Sequence, residues 1–227
     1  MLLSVVAGLA VLAWLLHAEL IRIPDQYNPW APLRIDEPPG WLTRLKLERV
    51  GRDAALCASV LNQAEMRFTP LPDRTVGPGC GFSNAVLIEA SSVRLSPAFA
   101  LSCRAAVSLA LWERHVLQPA AQAHFGQRAV RVEHFGSFAC RNRYGRSDAP
   151  RSRHATADAL DIAGIVLSDG RRIRIAQHWS GSDAAALFLR DLHAGACRMF
   201  DGVLGPEYNA AHRDHFHVER GGGRICR

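Results

Sequence analysis

Residues 210–219 read AAHRDHFHVE and place His212, His215 and His217 within six positions of a chain that has ten histidines in all. Neutral imidazole is the commonest side-chain metal ligand and the usual proton carrier near neutral pH, so the crowding suggests a site for metal binding or proton transfer. A solvated polar strand would crowd them equally, and Asp214 and Glu219 beside them fit either use. If HFHVE is a strand, His215 and His217 project from one face while Phe216 and Val218 turn to the core.

A second stretch, SRHATADALDIAG (152–164), holds His154 and Asp161 seven positions apart. Fully extended, that separation spans roughly 23 Å, so the chain must fold back if the two share an ion. Ala155, Ala157, Ala159 and Gly164 are small enough to permit the approach. His154, Asp161 and one of the strand histidines would supply two nitrogens and one oxygen, leaving the fourth position of a tetrahedral zinc open. That is the ligand set of a catalytic site rather than a structural one. The remaining histidines then find uses, one as a base beside the metal and one donating to a developing oxyanion. Two histidines and a carboxylate also serve non-haem iron, but those sites usually set histidine and carboxylate two apart on one strand. His124, His134, His178 and His193 read as surface or structural histidines, Ser152 as a cap for the turn before His154, and Glu219 as a solvated charge or a group that orients a ligating histidine.

The elements that would position these residues follow from the pattern. RDAALCASVLNQAEM (52–66) has helical spacing, and NAVLIEASSVRL (84–95) reads as one or two short strands. Ser96 as a cap, Pro97 at the first helical position and apolar residues at helical intervals predict a helix from there to Pro119. RAVRVEHFGS (128–137) alternates as a strand does, and ADALDIAGIVL (157–167), Asp169-Gly170 and RRIRIAQ (171–177) predict a hairpin. DAAALFLRDLHAGACRMF (183–200) predicts an amphipathic helix, with HFHVE the last strand. The class is α+β: a single domain with a small antiparallel sheet and flanking helices, preceded by one N-terminal apolar helix.

The chain has 227 residues, of which 48% are hydrophobic, enough for one cored domain and a short extension. Residues 1–16 carry no side-chain charge and the apolar character runs on to Ile23, so residues 1–23 read as a membrane anchor or an export signal. Five prolines between Ile23 and Pro39 make residues 24–44 a linker, and the domain is placed at 45–227. Cys57, Cys80, Cys103, Cys140, Cys197 and Cys226 all follow the apolar segment and form no C-x-x-C pair, which predicts an exported domain with three disulfides. Chain order suggests the pairs Cys57 with Cys80, Cys103 with Cys140, and Cys197 with Cys226. The net charge of +6 comes almost wholly from arginine, since Lys46 is the only lysine. It is spread without a dense basic run or interleaved aromatics, which suits an anionic surface or polymer and does not mark nucleic acid as a partner.

SRHATADALDIAG resembles the S-x-H-x-x-[GA]-x-A-x-D signature of the zinc metallopeptidases that include D-alanyl-D-alanine carboxypeptidases, dipeptidases and murein endopeptidases. HRDHFHV (212–218) is similar to the H-x-x-H-x-H element of the endopeptidase branch. With GSFACRNR (136–143) and the stretch from FLRDLHAGACRMF to the C-terminus, the motifs more closely resemble the bacterial extensin-like protein C-terminal domain family, over about residues 45–227. The resemblance implies His154, Asp161 and His217 as ligands of one zinc ion, His212 as general base or proton shuttle, and His215 as a contact to substrate or transition state. It implies Arg141 as the guanidinium that holds a substrate carbonyl or carboxylate. Ala157 stands where the signature usually has glycine, and Arg151 where some relatives place another histidine. The fold implied is that of the D-Ala-D-Ala metallopeptidases. The activity implied is hydrolysis of peptidoglycan stem peptides or cross-links, with the domain in the periplasm, tethered to the inner membrane or released by cleavage. The alternative is a non-catalytic wall-binding or structural module of the same fold. His212 beside three ligands favours the enzyme, since a binder needs no base.

Overall fold

In the computed structural model, which describes residues 5–8, 11, 14, 15, 18, 20 and 23–227, the first regular elements after the proline-rich stretch are helices α1 (Thr43–Val50) and α2 (Ala54–Leu61). Strands β1 (Arg67–Leu71), β2 (Arg74–Gly77), β3 (Cys80–Phe82), β4 (Ala85–Ala90), β5 (Arg94–Leu95) and β6 (Phe99–Ser102) follow. A long helical run then comprises α3 (Cys103–Trp112), a π-helical turn (Glu113–Leu117) and α4 (Gln118–Phe125). The C-terminal half holds β7 (Ala129–Gly136), β8 (Ala159–Leu167), β9 (Arg172–Arg174), the short α5 (Ile175–His178), α6 (Ala184–Met199), β10 (Gly202–Leu204), β11 (Phe216–Glu219) and β12 (Ile225–Cys226).

Every residue of α3 except Arg104 is buried, which a helix tolerates only when it is apolar on all faces and packed on all sides. It forms the middle of the core, and Trp112 Nε1 donates to Leu192 O of α6 at 3.1 Å. Helix α6 itself buries a stripe of Ala186, Phe188, Leu189, Leu192, Ala196 and Met199, and Asp183 caps it by accepting from Ala186 N at 3.0 Å. Where α6 crosses the π turn only glycine fits: a Cβ on Gly195 would lie 2.2 Å from Val116 Cγ1.

The architecture is mixed α/β, with three sheets among the described residues. The main one runs β12-β10-β11-β8-β7-β5, with β9 also paired to β8; β1, β4 and β6 form a second, and β2 and β3 a third. Its seven strands make it larger than the small antiparallel sheet expected, and its two edges, β5 on β7 and β12 on β10, are parallel pairs. The predicted hairpin is present as β8 and β9, with β9 cut short where Ile175 opens α5.

The helix predicted from Ser96 to Pro119 begins later and ends later. Phe99–Ser102 forms β6, paired to β4, because Phe99 and Leu101 are buried from an extended backbone; the helix starts only at Cys103. It passes Pro119 because the π turn has already interrupted the i→i−4 ladder, placing the proline in the first turn of α4 where its missing N–H is tolerated. The disulfides are Cys57–Cys103, Cys80–Cys140 and Cys197–Cys226. Chain order named only the last: packing of α2 against the start of α3, and of β3 against the loop after β7, decides which sulfurs meet.

No helix among the described residues is long and apolar enough to cross a membrane. The apolar helix expected over residues 1–23 falls largely on positions outside the described residues. Within the proline-rich stretch, Leu33 and Ile35 join the hydrophobic core, and Lys46 Nζ donates to Asp25 O at 2.7 Å and to Pro32 O at 3.4 Å.

Candidate functional site

Strands β8 and β11 are antiparallel neighbours whose register sets His217 directly opposite Asp161, so both side chains stand on one face of the sheet. The other face of β11 carries Phe216 and Val218, both buried, as alternation requires. His154 comes from a single 3₁₀ turn, Arg153–Thr156, just ahead of β8. Ser152 Oγ caps that turn by accepting from His154 N at 3.3 Å. Ala157 ends it in the left-handed region, at φ 54°, and so makes the fold-back that brings His154 over Asp161. Glycine adopts this conformation without a Cβ penalty, and alanine does not. Asp158 then clamps the turn to the start of α3: it accepts from Ser102 Oγ at 2.6 Å, from Arg104 at 3.0 and 2.9 Å, and from Thr156 Oγ1 at 2.7 Å.

The three side chains converge closely. His154 Nε2 lies 3.2 Å from Asp161 Oδ1 and 3.1 Å from His217 Nδ1, which is 2.9 Å from the same Asp161 oxygen. The outward nitrogens are both held: His154 Nδ1–H donates to Ser137 O, and His217 Nε2–H donates to Glu219 Oε2 at 2.9 Å. In neutral rings these bonds fix the tautomers so that both inward nitrogens carry lone pairs. Three acceptors then face one another in a buried place, an arrangement that calls for a cation between them. A tetrahedral zinc with bonds of roughly 2.0–2.1 Å sets its ligand atoms about 3.3 Å apart. The separations of 2.9–3.2 Å fall within a few tenths of that, so the donor set fits zinc. The same charges favour a proton on His217: burial opposes it, but hydrogen bonds to Asp161 and Glu219 raise the imidazole to about 9. Burial likewise opposes ionisation of Asp161, yet hydrogen bonds from His154 and His217 hold its carboxyl far below the usual range.

The triad lines a cleft of about 360 Å³, together with His212, His215 and Arg141. His212 is buried on a short turn; its Nδ1–H donates to Asn209 Oδ1 at 2.8 Å, and its ring centre lies 5.3 Å from that of His215 and 5.8 Å from that of His217. Burial first, then the charges of His217 and His215, push His212 down to about 4. His215 holds Asp214 Oδ1 at 2.9 Å through Nδ1 and sets Nε2 3.6 Å from Asp161 Oδ1. Its ring meets the exposed Phe135 edge-on. All six site residues expected from sequence therefore surround one cleft. Arg151 does not: it donates to Pro78 O and Asn142 Oδ1, both at 3.0 Å, and staples two loops.

A family model described as "Extensin-like protein C-terminus" matches residues 55–227. The chain belongs to the extensin-like protein C-terminal family. The match starts some way beyond residue 45, after α1, and takes in the whole triad and cleft. No curated protein and no solved structure matches the chain.

Several parts of this extensin-like site carry no signal in the sequence. The Ser137 acceptor is a main-chain carbonyl, which any residue could supply. Arg220, buried one position past Glu219, donates to Asp201 Oδ1 and Glu48 Oε1, both at 3.0 Å, and pins the end of β11; in sequence it reads as one more surface arginine. Among the described residues the other histidines stay outside the cleft. His193 lies within ligand range of Cys197 and Cys226, but both sulfurs are spent in a disulfide. His124 pairs with Asp191 at 2.7 Å, and His178 Nδ1 lies 3.0 Å from Arg174 O.

Proposed function

We propose that this extensin-like domain is a zinc-dependent peptidase that hydrolyses peptidoglycan stem peptides or their cross-links. The observation that carries the reading is the convergence of three acceptors, two of them tautomer-locked imidazoles and the third a carboxylate, on the wall of an open cleft, with His212 beside them. His154, Asp161 and His217 would hold the ion, leaving its remaining side to the cleft. When bound, zinc supplies Lewis acidity, polarising a carbonyl oxygen and making water ionise near neutral pH.

The chain's own groups do the rest. His212 is neutral near pH 7, and because Asn209 takes its Nδ1–H, its Nε2 is the basic atom, free to accept a proton from water and return it to a leaving amine. His215, oriented by Asp214, can donate through Nε2 to an oxygen gaining negative charge when its ring is protonated. Arg141, exposed on the cleft wall, offers a fork of donors to a substrate carbonyl or carboxylate. Three disulfides suit an oxidising compartment, which supports placing the domain in the periplasm, with the N-terminal apolar segment as anchor or export signal.

The test is zinc content per chain together with release of D-alanine or of cleaved cross-links from isolated sacculi. Wild-type protein is expected to hold one zinc and release product, and His217→Ala to lose both. A wild type that holds zinc yet releases nothing beyond His217→Ala defeats the peptidase and leaves a wall-binding module.

A further inference from the structure

Besides Arg141, three more arginines line the cleft: Arg143, Arg153 and Arg224. None of the three makes a side-chain hydrogen bond or ion pair among the described residues. The carboxylates of the lining are Asp161 and Glu219, and both are engaged by His217. A zinc ion in the triad would add to this positive excess. A Cβ on Gly222 would stand 2.5 Å from Glu219 Oε1, which sets that carboxylate against the glycine loop. Arg153 runs beneath the glycine loop after β11, its Nε 3.8 Å from where a Gly222 Cβ would stand, and Arg224 rides on that same loop.

Each is carried by a fixed piece of backbone. Arg143 opens a short turn whose N–H is tied to Pro150 O at 2.9 Å, and Arg153 opens the turn that bears His154. Arg224 precedes β12, which is stitched to β10 and by Cys197–Cys226 to α6. Guanidinium groups without side-chain partners that line one cleft form a receptor for planar anions.

We infer that the Glu219 end of the cleft is an anion subsite in which Arg143, Arg153 and Arg224 take a carboxylate of the substrate remote from the bond that is cut. The identity of that substrate as a wall peptide rests on the peptidase reading; the subsite itself is a matter of binding. It makes the preferred substrate an acidic peptide, with Arg141 and the triad at its reacting end and a free carboxylate further along.

The experiment is calorimetric titration of the zinc-loaded full chain with two synthetic pentapeptides ending in D-Ala-D-Ala. One has a free carboxylate on an internal glutamate and the other has it amidated. Hydrogen bonds to charged groups lead to an expected preference of about tenfold or more for the free carboxylate, weakening with salt. The preference should fall below about twofold in the combined variant Arg143→Gln, Arg153→Gln, Arg224→Gln, with zinc content and melting temperature as checks on the fold, and persist in Arg114→Gln, which is exposed outside the cleft. Equal binding of both peptides to wild type, or a preference that survives the triple substitution, overturns the subsite. Hydrolysis without preference leaves the peptidase and removes the subsite. An arginine-dependent preference without hydrolysis does the reverse.

Discussion

Replacing Glu219 by glutamine tests the tautomer lock on His217 while keeping the side chain's size. In the folded chain Glu219 Oε2 accepts from His217 Nε2 at 2.9 Å, in a place where its side chain is 14% exposed, so solvent screens the bond little. A hydrogen bond to a charged group contributes about 1.5–3 kcal/mol and a neutral one about 0.5–1.5 kcal/mol, so the substitution removes about 1–1.5 kcal/mol of the force that keeps the proton on Nε2. Glutamine can also turn its NH₂ towards Nε2, which favours the opposite tautomer and puts a proton on Nδ1, where the ion should bind. The expected result is zinc affinity about tenfold weaker in Glu219→Gln, and about tenfold to a hundredfold weaker in Glu219→Ala. Competition with a chromophoric chelator near neutral pH measures it, and melting curves of the zinc-free proteins check the fold. Unchanged affinity in both variants, with the fold intact, refutes Nδ1 of His217 as the ligand atom.

Three further outcomes follow from groups outside the triad. Glu113 is buried in the π turn and bonded to Ser91 and Ser92; burial, only partly offset by these hydroxyls, raises its carboxyl to about 7 from an ordinary 4.5. The folded state thus keeps a proton that the unfolded state releases, so stability is greatest below about pH 4.5 and falls by about 3 kcal/mol as pH rises to about 7. Denaturant titrations of wild type and Glu113→Gln across that window should diverge by this amount, and parallel curves refute the assignment. Ala157→Gly relieves the left-handed strain at φ 54° and should stabilise by about 1 kcal/mol, raising the melting temperature by about 2–4 °C; a lower melting temperature counts against strain at that turn. Arg220→Ala leaves Asp201 buried and short of a partner and should lose about 3–5 kcal/mol in denaturant unfolding; a loss under 1 kcal/mol shows that Arg44, 3.0 Å from Asp201, suffices alone.

What the sequence disclosed was whatever depends on period and local chemistry. HFHVE alternates, so its two faces could be assigned before any partner was known, and the small residues around His154 left room for the chain to fold back. Residues 96–102 misled because a serine followed by proline and an apolar run serves a buried strand as well as a helix; pairing of Phe99 with Ile88 decides between them. Strands β5 and β12 have two residues each and no period to read, so the sheet's width stayed hidden. Disulfide partners depend on which elements pack, a long-range property. The cleft arginines sit singly at positions 141, 143, 153 and 224, and only the fold gathers them.

Buried ion pairs stabilise a fold poorly compared with apolar packing, so two that flank the triad call for another account. One surrounds Asp158, three residues before Asp161; the other surrounds Arg220, three residues after His217. They meet through the backbone, since Arg220 N donates to Asp158 O at 2.9 Å, and Arg104, the partner of Asp158, fills the space that a side chain on Gly221 would take. Both strands that carry triad residues are thus fixed to a single polar frame at the end of their shared ladder. Hydrophobic contact alone would leave β11 free to shift slightly along β8, and tenths of an ångström decide whether three donors fit one ion. Directional, charge-assisted hydrogen bonds resist such sliding where dispersion forces do not, which gives the frame its use: it braces the end of a ladder whose register already sets His217 opposite Asp161.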